Sequence, residues 1–357
     1  MMNKKKLGAF MLAGTMILGM GTTAFAAEIP NVNNGEGKVV ITKDFEMAEG
    51  LAVPNYTFNF TVEKVTEDAP NASIETVTFS EENKGTVKDG KYVVSQNAAM
   101  TFGEWKHAGE YEYKVKETKG SDKGVTYSEA EYTVRVYVVN KDKGLEIEKI
   151  TAQGKDGKTD KILFTNTYKK NDASLIIDKI TKSNQKDGKD YADKTKQFDF
   201  TVKFVKSATE DTLENFTGTL TRKDGKAETV TCKDGTATFK LADGDKVEFK
   251  NLPVGTTYSV TEAGVKDDYT PSVSVVENGV KTVEKNGTDA DDLTSLNGEK
   301  NNLVGEGKNQ VTFTNTYKDI AITGIVMNNL PFILLIVVAA AAFGALAVVK
   351  KRRTSER

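Results

Sequence analysis

The 357-residue sequence predicts an all-β protein whose body is two tandem β-sandwich domains. Apolar and polar residues alternate in Tyr56–Val65, Glu110–Glu117, Glu131–Val139, Phe198–Val205 and Thr236–Leu241, the period of two expected of half-buried strands. Asp-Gly turn signals punctuate such runs at Asp89-Gly90, Asp224-Gly225 and Asp234-Gly235, and no stretch of the body carries a convincing helical period. The body is also written twice, because the pentapeptide Phe-Thr-Asn-Thr-Tyr closes one half at 164–168 and the other at 313–317.

At the N-terminus, residues 1–26 read as a secretory signal peptide. Lys4, Lys5 and Lys6 precede an apolar stretch, and Ala24-Phe25-Ala26 forms a small-x-small cleavage site, so the mature chain is expected to begin at Ala27. At the C-terminus, Leu330 to Val349 is a run of twenty residues without a charge, followed by Lys350, Lys351, Arg352 and Arg353. That length suits one membrane span, and the basic cluster sets the cytoplasmic side. The body is therefore expected outside the cell.

Setting aside residues 1–26 and 324–357 removes eight basic residues and one acidic residue, leaving 41 Lys and Arg against 50 Asp and Glu. A net charge of −9 excludes the basic footprint of a nucleic-acid binder. Cys232 is the single cysteine, so no intramolecular disulfide can hold this extracellular chain together. Cys232 itself, in Thr-Val-Thr-Cys-Lys-Asp-Gly, reads as a strand residue. One histidine, His107, reads as a loop residue, and no metal cluster, phosphate loop or catalytic triad is evident. The chain is expected to need no cofactor and to act as no enzyme on outside substrates.

Each half opens on a short apolar strand holding a lysine, residues 38–45 and 174–181, passes through Tyr-x-Val-x-Glu at 113–117 and 258–262, and closes on the repeated pentapeptide. The domains are thus expected at 36–168 and 173–318, joined by the polar linker Lys169 to Ala173. Residues two apart share a strand face. Lys43 lies with Val39 and Ile41, Glu117 with Tyr113 and Val115, and Asn166 with Ile162 and Phe164; in the second half Lys179 lies with Leu175 and Ile177, Glu262 with Tyr258 and Val260, and Asn315 with Val311 and Phe313. All six polar side chains are expected to point into a core.

Burial drives a lysine or glutamate towards its neutral form. A neutral lysine amine is a nucleophile, a protonated glutamic acid carries a proton, and an asparagine carboxamide offers an electrophilic carbon. The chemistry available is amide exchange: the lysine attacks asparagine Cγ, the glutamate polarises the oxygen and moves the proton, and ammonia leaves. The resulting Lys-Asn bonds would close spans of 123 residues (43 to 166) and 136 residues (179 to 315). By analogy with a disulfide closing a loop of this size, the stabilisation approaches ~5 kcal/mol.

A first-strand lysine, a Tyr-x-Val-x-Glu strand and a closing Phe-x-Asn, written twice ahead of a sorting signal, resemble the streptococcal T-antigen type of pilus backbone subunit with its pilin isopeptide linkage domains. The resemblance covers 38–318 and continues through 323–335. It implies an immunoglobulin-like sandwich in each half, closed by a self-formed bond at Lys43, Glu117 and Asn166 and again at Lys179, Glu262 and Asn315. It also implies that residues 320–357 form a sortase sorting signal, Ile-Ala-Ile-Thr-Gly followed by the apolar span and basic tail, cut between Thr323 and Gly324. Ile320 and Ala321 depart from the common Leu-Pro opening of such signals. The family's acceptor lysine falls at Thr159, flanked by Lys158 and Lys161, of which Lys158 is the first choice.

The expected partners are therefore a sortase, neighbouring pilin subunits joined head to tail, and peptidoglycan or a basal pilin, with a host receptor also possible. The expected location is secreted and wall-anchored, after a transient membrane stage. The competing reading is an adhesin of the same domains, displayed singly and binding a host ligand.

Overall fold

The computed structural model describes residues 39–184, 190–266 and 268–318, and every regular element among them is a strand. The signal peptide, Thr323, Gly324 and the apolar span lie outside the described residues. Among the described residues no helix is long and apolar enough to cross a membrane. The chain divides into two compact units. Among the described residues, the first holds 39–46, 53–85 and 94–167; the second holds 47–52, 86–93 and those from 168 to 318.

In the first unit, the opening strand Val39–Ala48 lies between Lys91–Phe102 and the closing strand Ile162–Tyr168, which in turn neighbours Val125–Thr126. A second sheet runs Gly157–Thr159, Gly144–Gly154, Glu131–Lys141, Gly109–Glu117, Phe60–Lys64. The two sheets share one core: Val39, Ile41, Met100 and Phe164 from the first pack with Tyr111, Tyr113, Val115, Val134 and Val136 from the second. Alternation explains the membership, since the inward residues of each strand are its buried ones.

The second unit places the opening strand Ala173–Ser183 between Lys246–Leu252 and the closing strand Gln310–Tyr317 in a seven-stranded sheet. Phe198–Val205 is central to a five-stranded sheet, between Thr236–Leu241 and Thr257–Glu262. Edge-to-face aromatic pairs tie the sheets together, Phe200 on Phe313 at 5.3 Å and Phe204 on Phe249 at 5.1 Å between ring centres.

Local departures from the sequence expectation have identifiable causes. The single strand expected over 56–65 is two, Tyr56–Phe58 pairing with Val77–Phe79 and Phe60–Lys64 pairing with Gly109–Glu117. The break falls at Asn59, whose carbonyl accepts from the Thr118 amide at 2.8 Å. Asp89-Gly90 and Asp234-Gly235 are two-residue turns with both residues at positive φ, as their sequence signals. Asp224-Gly225 belongs to a longer turn in which only Gly225 is left-handed, at φ 88°, because Arg222 and Lys226 pair outside it. Cys232 stands one residue past the end of Ala227–Thr231 and not within it. Its amide continues the pairing to Phe216, and burial pushes its thiol pKa up to about 11, so it stays protonated and unreactive.

Candidate functional site

The opening and closing strands are hydrogen-bonded neighbours in both units. In the second they run parallel, with Lys179 opposite Phe313 and Thr181 opposite Asn315. This non-local pairing brings a lysine near the start of each unit beside an asparagine near its end. The facing sheet supplies the third group, Glu117 at the end of Gly109–Glu117 and Glu262 at the end of Thr257–Glu262. Lys43, Asn166, Glu262 and Asn315 are 0 % exposed, Lys179 1 % and Glu117 8 %.

The first cluster is bridged by its glutamate. Lys43 Nζ lies 2.8 Å from Glu117 Oε2, and Asn166 Nδ2 donates to Glu117 Oε1 at 2.5 Å. Lys43 Nζ also donates to the Phe164 carbonyl at 3.4 Å and sits over the Phe58 ring, 4.5 Å from its centre. In the second cluster one carboxylate oxygen serves both partners. Lys179 Nζ donates to Glu262 Oε1 at 2.7 Å and Asn315 Nδ2 donates to the same atom at 2.9 Å. The Phe198 ring lies 4.4 Å from Lys179 Nζ. The aromatic floors are invisible to a search for reactive side chains, although Phe58 and Phe198 head or end ordinary alternating strands.

One detail differs from the sequence reading, in which the glutamate polarises the asparagine oxygen. Both glutamates meet the amide nitrogen instead. In the first cluster the reason is visible: Asn166 Oδ1 accepts from the Ser128 backbone amide at 2.7 Å, which turns the NH2 group towards Glu117. A backbone N–H leaves no trace in sequence, so nothing in the residue type marks Ser128.

Burial works against charge on both lysines and on Glu262. Burial lowers Lys43 and Lys179 from 10.5 to about 8, outweighing the nearby carboxylates that raise them. Burial also raises Glu262, against the opposing pull of Lys179 and Asn315. These shifts give a testable sign. If the second unit is kept unlinked by Asn315→Ala, its stability is expected to rise between pH 8 and 10.5, because folded Lys179 has released a proton that the unfolded chain still holds. As pH climbs above 4.5 towards the raised Glu262 value, stability is expected to fall, since there the folded state holds the extra proton. Denaturant midpoints against pH measure both limbs; a linked Lys179 nitrogen does not titrate, so the alkaline limb should be missing from the unaltered chain.

The remaining candidates are surface groups. Lys158 lies on Gly157–Thr159, the edge of its sheet, paired with Gln153, and is exposed. Lys161 is exposed too, its amide held by Thr159 Oγ1 at 3.2 Å. His107 sits at an exposed bend, bonded to Asp68, Ala108 and Tyr111. Among the described residues no three His, Cys, Asp or Glu side chains gather as a metal site.

A pilin from Streptococcus pyogenes serotype M1 is 30 % identical over 362 residues, spanning 94 % of this chain and 98 % of that protein. The chain belongs to the streptococcal T-antigen type pilin family. Within this pilin, residues 39–169 match a family described as a Spy0128-like isopeptide containing domain, and 173–317 match a domain of unknown function, DUF7601. The crystal structure of the major pilin from Streptococcus pyogenes is 25 % identical and covers 79 % of this chain and 99 % of its own, with a TM-score of 0.36. The major pilin T3.2 from Streptococcus pyogenes serotype GAS13637 is 22 % identical over 79 % of this chain and 98 % of its own, at a TM-score of 0.34. As a pilin, the protein is a structural component of a surface pilus that associates with further pilin subunits.

Proposed function

We propose that this pilin is a shaft subunit whose two domains, 36–168 and 173–318, are immunoglobulin-like sandwiches, each locked by one self-formed Lys-Asn isopeptide bond. The observation that carries the reading is the repeated glutamate bridge, one carboxylate touching both a buried lysine and a buried asparagine on adjacent opening and closing strands.

The chemistry needs only groups on the page. A proton passes from Lys43 to Glu117, which leaves a neutral amine beside a neutral acid. Lys43 Nζ attacks Asn166 Cγ, and Glu117 protonates Nδ2 as the Cγ–Nδ2 bond breaks. The proton then lost by the new amide nitrogen returns to Glu117. The sum is one Nζ–Cγ bond formed, one ammonia released and an uncharged glutamic acid left in the core. Lys179, Glu262 and Asn315 repeat the sequence. Since the chain consumes its own side chains and turns over nothing, it is no enzyme in the ordinary sense.

Polymerisation is a second, external chemistry in this reading. A sortase cuts between Thr323 and Gly324 and passes the Thr323 carbonyl to Lys158, or failing that Lys161, of the next subunit. The last transfer goes to peptidoglycan or a basal pilin and anchors the shaft to the wall. The adhesin alternative is not favoured.

Intact mass of the purified body is expected to fall short of the sequence mass by two ammonias, and a Glu117→Ala chain should regain one. Wall extracts should show a heat-stable ladder of multimers that Lys158→Arg collapses. A full sequence mass would sink the internal bonds, and a single band in the extracts would sink the shaft.

A further inference from the structure

The two clusters are not equivalent around the atom that takes the charge. When a lysine nitrogen adds to the asparagine Cγ, the electron pair of the C=O bond moves onto Oδ1. In the first unit Asn166 Oδ1 accepts from the Ser128 N–H at 2.7 Å. In the second, Asn315 Oδ1 is buried and finds no hydrogen-bond donor among the described residues. The residue opposite Asn315 on the neighbouring strand is Pro271, which has no N–H to offer.

We propose that the Ser128 backbone N–H is an oxyanion hole for the first isopeptide bond, absent from the second, and that the Lys43–Asn166 bond therefore closes well before Lys179–Asn315. The proposal rests on the isopeptide reading above and adds to it the group that stabilises the transition state.

The Ser128 amide is held in place before any reaction begins. It follows Val125–Thr126, which neighbours the closing strand that carries Asn166. Tyr127 packs edge-on against Phe58, ring centres 6.3 Å apart, and the same Phe58 ring lies under Lys43 Nζ. The Ser128 hydroxyl accepts from the Ala130 amide at 3.3 Å. A donor fixed in this way needs no reorganisation as the oxygen becomes negative. It also sets the leaving group: with Oδ1 bound to Ser128, Nδ2 faces Glu117, so the proton arrives on the nitrogen that departs as ammonia.

In the second unit the glutamate is the one hydrogen-bond partner that the Asn315 side chain has among the described residues, and it too meets Nδ2. Charge on Oδ1 then develops in a desolvated place without a donor. Removing one oxyanion donor from an enzyme slows it on the order of 10²- to 10³-fold, which sets the expected difference between the two sites.

The test follows both bonds in one chain. The full chain, recovered unreacted from inclusion bodies in denaturant, is refolded by dilution, quenched in acid at intervals, digested, and its two joined peptides are counted by mass spectrometry. The Lys43–Asn166 peptide is expected on the order of 10²-fold sooner than the Lys179–Asn315 peptide. Ser128→Ala keeps the N–H and loses only the hydroxyl's bond to the Ala130 amide, so it should slow the first bond far less than loss of the N–H does. Ser128→Pro, which removes it, should slow the first bond on the order of 10²-fold and leave the second as an internal clock. A first bond no faster than the second in the unaltered chain would overturn the proposal, and so would an undiminished first bond in a folded Ser128→Pro chain. If that variant does not fold, the unaltered chain decides alone. Failure of both joined peptides to appear at any time would instead overturn the bonds themselves.

Discussion

An Asn315→Ala chain is expected to lose ~5 kcal/mol of stability in its second unit, the chain-entropy value for opening a loop longer than about 100 residues. For a unit of this size that corresponds to a fall in Tm on the order of 15 °C. The substitution is chosen because it removes little else. It leaves the Lys179–Glu262 contact at 2.7 Å in place and, besides the covalent bond, takes away only the Nδ2 contact to Glu262, since Asn315 Oδ1 has no hydrogen-bond partner among the described residues. The bond that disappears joins the opening strand to the closing strand, so the effect should also be seen as early detachment of Gln310–Tyr317 in hydrogen exchange. Thermal unfolding followed by calorimetry gives the number; a second-unit transition unmoved by Asn315→Ala would mean that no bond closes the loop.

How far the sequence leads is clearest in the clusters themselves. Strand alternation is a local property, so Val39, Ile41 and Lys43 announce a common face, and so do Phe164 and Asn166. The all-β class follows from the same signal. Adjacency is different, because the pairing of Ala173–Ser183 with Gln310–Tyr317 joins residues more than a hundred positions apart, and no local pattern specifies a partner strand. It could be reached only by supposing that the lysine and asparagine must meet. The Ser128 amide was out of reach for another reason, since every residue but proline carries one and only the fold aims it at Asn166. The break at Asn59 was hidden because Phe58 and Phe60 keep the alternation intact across it, while their backbones pair with different strands.

Glu262→Ala is expected to cost more than Asn315→Ala, although both variants lack the same bond. Without Glu262, Lys179 remains buried at 1 % exposure with its ion pair gone. The Phe198 ring at 4.4 Å offers the cation a weaker contact than a carboxylate. Removing one partner of a buried pair costs about 3–5 kcal/mol beyond the lost bond, reduced to the extent that Lys179 sheds its proton. Its pKa, already lowered by burial to about 8, has lost the carboxylate that raised it, so the extra penalty should shrink as the solution is made more alkaline. Glu262→Gln keeps the volume and a hydrogen-bond acceptor and should fall between the two alanine variants, again without the bond. Replacing Lys179, Glu262 and Asn315 together by apolar residues of similar volume removes the unpaired charge and should recover part of the loss relative to Glu262→Ala, but none of the part due to the closed loop. The discriminating measurement is the order of second-unit stabilities at neutral pH: unaltered, then Asn315→Ala, then Glu262→Ala. Equal values for the two alanine variants would show that Lys179 finds water or another partner when its glutamate is gone, and the picture of a sealed site would have to be abandoned.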